Sequence, residues 1–233
     1  MRGADRDLLL SLFGGLDRPL AVRCAPWMAR SSRFRAFLDE YRAKIAKKAR
    51  TLESADAWPD LWLELWTAAR LLSDQRFVLI YEQFAAQRAR GPDLTATFRA
   101  TTTLHIEIKR ARVNLTAPKW AEILCSKLGQ LQPSAANVLL VGSGADIAET
   151  CAAETAIHDL SRMAERGEDA VFQRYGLATA RDFTRQLSRL SGVLRVADWD
   201  LDSAAQQSVW LNPIAKHPLA ANLAHALTIQ PAA

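Results

Sequence analysis

Pro92-Asp93 and, fourteen positions after the aspartate, the triplet Glu107-Ile108-Lys109 bring together residue types that hydrolytic chemistry uses. Side chains alternate along a strand, so Glu107 and Lys109 share a face if 103–110 is extended. A hairpin pivoting near Ala100 would oppose residues whose numbers sum to about 200, which sets Asp93 across from Glu107. Two adjacent carboxylates repel unless something positive lies between them. Mg²⁺ or Mn²⁺ meets that need, because such hard cations take a few oxygen ligands and keep several waters. Metal-bound water is more acidic and metal-bound phosphate oxygens lose charge density, so attack on a phosphodiester becomes feasible. Lys109 would then orient the attacking water or stabilise the extra negative charge of the transition state. The competing reading makes Asp93 and Glu107 a plain surface pair and Lys109 a solvated lysine. Glu82, within the apolar run FVLIYEQF, is either an extra ligand or a salt-bridged core residue, since an unpaired carboxylate there would be costly. His105 alternates onto the face of Glu107 and Lys109, where a structural role is the simpler reading.

The elements that must position these residues follow from periodicity. Phe34, Phe37, Leu38, Tyr41 and Ile45 give one apolar stripe, which predicts a single helix over 34–50. A second helix is expected from Trp58 to Leu72, with Pro59 in its first turn. It is apolar around most of its circumference, and its tryptophans at 58, 62 and 66 read as core. The period then changes, and strands are predicted at 77–84, 93–99 and 103–110. A helix over 118–129, a strand over 137–142 and a long helix over 145–166 follow, with Gly167 as a stop. The remainder reads as a helix over 178–190, a strand over 192–197, a loop, and a helix over 218–227. Short-looped neighbouring strands are antiparallel and strand–helix–strand connections parallel, so the sheet should be mixed. The expected organisation is a basic helical segment 1–56, a core 57–142 and an α-rich extension 143–233 packed on it.

The 233 residues are 49% hydrophobic and 24% charged, which excludes a largely disordered, collagen-like or disulfide-stapled chain. No apolar run approaches the ~18 residues of a membrane span. Asp5 and Asp7 spoil the cationic front of a signal peptide, so the opening reads as a short helix or ordered tail and a cytoplasmic location is expected. Cys24, Cys125 and Cys151 are read as free thiols, most of them buried. The net charge of +5 is uneven: residues 1–50 hold twelve basic and five acidic side chains, a net +7. A second basic run passes through Arg88, Arg90, Arg99, Lys109, Arg110 and Arg112 to Lys119. Such fields attract polyanions, and nucleic acid is the usual one; a solvated helix face explains the N-terminal run equally well.

GPDLTATF followed by HIEIKR, behind a tryptophan-rich helix and a strand, resembles the PD-(D/E)xK nuclease superfamily. The resemblance covers about residues 57–142, and rests on the order of elements and a short motif. It implies a restriction-endonuclease-like α/β core of order α-β-β-β-α-β, with a mixed central sheet flanked by helices. It further implies Asp93 and Glu107 as metal ligands, Lys109 as the catalytic lysine, and Glu64 on the first core helix as an added catalytic carboxylate. The function it implies is hydrolysis of phosphodiester bonds with Mg²⁺ or Mn²⁺, on DNA in preference to RNA. Arg88, Arg90, Arg110 and Arg112 are the candidate phosphate contacts. No membrane partner is expected, and a homodimer is compatible with the sequence.

Two other readings stay open. A nuclease-like module without chemistry would bind nucleic acid or a protein through the basic surface. VLLVGSGAD at 138–146 raises a Rossmann-like S-adenosylmethionine-dependent methyltransferase, although the third glycine of the dinucleotide fingerprint is replaced by Ile147.

Overall fold

The change of period after Leu72 is where the sheet begins. β1 (Phe77–Tyr81), β2 (Leu94–Phe98), β3 (Thr102–Arg110), β4 (Ala136–Ser143), β5 (Gly192–Ala197) and β6 (Gln206–Leu211) form a six-stranded sheet in chain order. β4 runs parallel to both β3 and β5, while β6 is antiparallel to β5. The protein is therefore α/β, with a mixed open sheet flanked by helices. The computed structural model describes residues 3–52, 57–83, 91–144, 146–199 and 206–228. β4 is buried at every position, as expected of a central parallel strand covered on both faces. β6 replaces the loop expected there. Its polar opening, Gln206-Gln207-Ser208, hides the strand pattern, and main-chain pairing to β5 supplies what the side chains do not.

Two compact units divide the chain. Of the described residues, one takes in those up to Tyr81 and Thr97–Thr101; the other takes in those of Glu82–Ala96 and of 102–228. The first unit is built from α1 (Gly3–Phe13), α2 (Pro19–Arg30), α3 (Ser32–Glu40), α4 (Arg42–Arg50) and α5 (Trp58–Ser73) with β1. The single helix expected over 34–50 is broken at Tyr41, whose φ of −97° and ψ of 18° leave the helical basin. The break lets α3 bury Phe34, Phe37 and Leu38 and α4 bury Ile45 and Ala46 along different axes. Ser31 caps α3 by accepting the Phe34 N–H at 3.1 Å. Trp62 and Trp66 are core residues, and the Arg23 guanidinium lies over the rings of Trp58 and Trp62 at 5.3 and 5.8 Å. Arg33 donates to the carbonyls of Leu72 (2.8 Å), Asp74 (2.9 Å) and Phe77, fastening the α5–β1 connection.

The second unit packs α6 (Ala117–Leu128), α7 (Ala153–Glu165), α8 (Asp169–Arg174) and α9 (Ala180–Leu187) into one core with Leu139, Val141 and Val193 of the sheet. α10 (Ala221–Thr228) follows β6. The helix expected from residue 145 begins only at Ala153. The chain ahead of it is kept out of the helix because it pairs with Leu115: Glu149 bridges to Leu115, whose carbonyl accepts the N–H groups of Thr150 and Cys151 at 3.2 and 3.1 Å. The strand expected over 77–84 ends at Tyr81, since Glu82 adopts a left-handed φ of 44°. Among the described residues no helix is long and apolar enough to cross a membrane.

Candidate active site

Positions 99–101 turn the chain between β2 and β3. Arg99 and Ala100 both sit at positive φ, 50° and 60°, a region that side-chain-bearing residues enter at a cost. The Thr101 N–H donates to the Phe98 carbonyl at 3.2 Å and closes the turn. Further along the hairpin, Thr95 Oγ1 and His105 Nδ1 meet at 3.0 Å. Those two positions sum to 200, the register expected from a pivot at Ala100. His105 is buried, and burial lowers its pKa below the ordinary imidazole value. The neutral ring is thus a structural partner of Thr95.

One step beyond β2, the Asp93 side chain reaches into the triplet on β3. Its Oδ2 accepts the backbone N–H of Ile108, the residue between Glu107 and Lys109, at 2.7 Å. The Asp93 carbonyl in turn accepts the Glu82 N–H at 3.0 Å, so the half-buried Glu82 joins this group through its backbone. Asp93 is therefore fixed at both its main chain and its carboxylate.

Glu107 lies deeper. Its parallel-register neighbour is Leu139, and that of Lys109 is Val141. Leu139 and Val141 belong to the core built with Trp120, Leu124 and Leu128 of α6, so Glu107 faces α6. The residue is 5% exposed, and its carboxylate accepts a hydrogen bond from Lys127, in the last turn of α6. A buried carboxylate needs such a partner, and Lys127 provides it. Lys109, two residues further, emerges at the exposed end of the strand; Arg110 is half-buried and Arg112 exposed. Arg88 and Arg90 lie outside the described residues.

Glu64 belongs to the first unit and is engaged there. Lys48 of α4 donates to Oε1 and Oε2 at 2.8 Å each, and the Tyr81 hydroxyl donates to Oε2 at 2.7 Å. Lys44 donates to the Tyr81 carbonyl at 3.0 Å. Rings of Phe37, Tyr41 and Tyr81 pack around this group, with Tyr41 and Tyr81 centroids 6.1 Å apart. Burial and neighbouring Glu40 push the Tyr41 hydroxyl up to about 12. Several of the N-terminal basic residues (Arg23, Arg33, Lys44, Lys48) thus serve internal contacts.

Lys127 was not singled out by the sequence reading, although it left a trace. Trp120, Leu124 and Lys127 fall at helical spacing, so a lysine stands on the stripe that α6 buries. Lys48 likewise follows Ile45 by one turn on the buried side of α4. A lysine interrupting an apolar stripe is the signal that predicts a buried carboxylate opposite.

Among the described residues no three or more His, Cys, Asp or Glu side chains gather as a metal-holding group. Magnesium does not require one: it is commonly held by one or two carboxylates and completes its shell with water. The hard oxygens of Asp93 and Glu107 match that donor chemistry, and Mn²⁺ takes the same ligands. The Gly-x-Gly sequence is placed differently from a dinucleotide loop. Gly142 and Ser143 are part of β4, and the next helix starts at Ala153. A cavity of about 830 Å³ in the first unit, lined by Leu12, Phe13, Arg18, Arg50 and Trp58 among others, contains none of these residues.

Comparisons with protein-family models, curated proteins and solved structures return no match.

Proposed function

We propose that the protein is a metal-dependent nuclease that hydrolyses phosphodiester bonds in nucleic acid, DNA in preference to RNA. The observation that carries this reading is the 2.7 Å hydrogen bond from the Ile108 N–H to Asp93, which anchors one carboxylate at the centre of the Glu107–Lys109 triplet. The order α5-β1-β2-β3-α6-β4 supports it, because it is the element order of the restriction-endonuclease-like core that the motif resembles. Asp93 and Glu107 are the residues that would hold Mg²⁺ or Mn²⁺, with Glu82 joined to Asp93 by its backbone N–H at 3.0 Å. When bound, the cation would acidify water and draw charge from the phosphate. Lys109, at the exposed end of β3, orients the attacking water and stabilises the charge that develops on phosphate. Arg110 and Arg112 continue the strand and are suited to phosphate oxygens along the substrate backbone. Glu64 is assigned to holding α4, α5 and β1 together.

The reading is tested by incubating purified protein with supercoiled plasmid, linear DNA and RNA in Mg²⁺ or Mn²⁺. Cleavage that Lys109→Ala abolishes is the expected result; full metal-dependent cleavage by that variant overturns the assignment. One observation favours a second reading, a binding module that has lost its chemistry: Glu107 is already neutralised by Lys127. That module would bind nucleic acid in a salt-sensitive manner and indifferently to Mg²⁺.

A further inference from the structure

The lysine on α6 and the cation implied for the β2–β3 hairpin require the same carboxylate. Glu107 is nearly fully buried, with its side chain 6% exposed, and Lys127, 19% exposed, is ion-paired to its Oε1. A buried carboxylate is costly without a compensating positive charge, and removal of one partner from such a pair is strongly unfavourable. A divalent cation on Glu107 would supply that charge in excess, and would also repel the adjacent ammonium. The two cations therefore compete. Lys127 is suited to yield: it lies one residue from the C-terminal end of α6 and carries a flexible four-carbon stem, so its head group can swing away while the stem stays packed.

We infer that Lys127 is the resident counter-cation of Glu107, which keeps the hairpin charge-balanced without metal and sets metal affinity by having to be displaced. This inference rests on the nuclease reading, since it takes Glu107 as a metal ligand. It makes Lys127 a positioning residue distinct from Lys109. It also turns the Glu107–Lys127 pair from a sign of lost chemistry into a holding state, because a lysine on the ligand is what a buried carboxylate needs while the metal is away.

The test measures Mn²⁺ binding to the full chain by the loss of the free-ion paramagnetic resonance signal, and is independent of turnover. Lys127→Met keeps the aliphatic volume and removes the competing charge. It is expected to bind Mn²⁺ at least about tenfold more tightly than the unmodified protein, and Mn²⁺ should raise its melting temperature by more. Unchanged or weaker binding by Lys127→Met overturns the inference and leaves the nuclease reading standing. Mn²⁺ binding that survives both Asp93→Asn and Glu107→Gln overturns the reading itself, as does absence of binding from all variants.

If Lys127→Met fails to fold, the unmodified protein provides the second measurement. Lysines are reductively methylated with and without Mn²⁺, and Lys127 is followed by peptide mass spectrometry. Displacement predicts a several-fold faster modification of Lys127 with Mn²⁺; an unchanged or slower rate contradicts it.

Discussion

Each of the two units buries a glutamate against a lysine, and the surroundings of the two pairs differ. In the N-terminal unit, Glu64 receives Lys48 on both oxygens and the Tyr81 hydroxyl on one, within a shell of aromatic rings. In the second unit, Glu107 receives Lys127 on Oε1 and is adjacent to Ile108, whose N–H holds Asp93. The first arrangement unites three elements through one carboxylate. The second places a carboxylate, an anchored second carboxylate and an exposed lysine on one hairpin. Both glutamates have the same burial and the same partner type, so burial and pairing alone do not mark a site. What differs is the company: a second acid anchored to the same strand on one side, a tyrosine and aromatic packing on the other.

Activity should split the two pairs most sharply. Glu107→Gln is expected to lower metal-dependent cleavage by about a hundredfold or more, the scale of removing one group that acts on the transition state. Glu64→Gln is expected to retain cleavage within a few-fold. Equal losses in a plasmid-nicking assay would erase the distinction.

Stability should reverse the emphasis. Lys48→Met leaves Glu64 buried without its lysine partner, at a cost of about 1–3 kcal/mol. The figure stays below that of a fully enclosed pair because the Lys48 side chain is 30% exposed. Urea unfolding reads this directly, and no change in midpoint would show that Lys48 is not needed to hold Glu64.

A smaller effect concerns the turn that sets the hairpin register. Ala100 has φ of 60°, where a Cβ is unfavourable. Ala100→Gly is expected to stabilise the protein by about 0.5–1 kcal/mol, the relief of left-handed strain less the entropy glycine adds to the unfolded chain. A destabilised variant would show that the Ala100 side chain makes contacts worth more than the strain.

The smallest effect is a pH dependence in the second unit. Burial depresses the pKa of His105, so the unfolded chain binds a proton more readily than the folded one. Stability contributed by the neutral ring is complete above the unfolded value of about 6.5 and is lost as pH falls from there toward the depressed folded value. Melting temperature should fall more steeply below pH 6.5 for the natural protein than for His105→Gln, and parallel curves would remove His105 as the cause.

The hairpin was legible because strand alternation and a turn near Ala100 follow from spacing alone, and the Thr95–His105 contact agrees with a turn there. The helix from Trp58 was legible because its apolar positions surround it. The break at Tyr41 was not, because one apolar stripe continues through it while the backbone turns. The late start of α7 was not, because pairing to Leu115 is a long-range main-chain effect that side-chain periodicity cannot carry. Lys48 and Lys127 escaped because a lone lysine on an apolar stripe looks like solvated surface until the opposing carboxylate is known. At the candidate site the sequence thus names the acids and the exposed lysine, and tertiary packing adds the counter-cations.

If Asp93, anchored by the Ile108 N–H, holds the metal of a phosphodiester-cleaving site as proposed, its removal abolishes cleavage. The most direct test is plasmid cleavage in Mg²⁺ or Mn²⁺ by the natural protein, with EDTA and Asp93→Ala as paired controls. Cleavage by the natural protein is expected to be lost in both controls while the circular dichroism of Asp93→Ala stays native. Cleavage that persists in well-folded Asp93→Ala would contradict it.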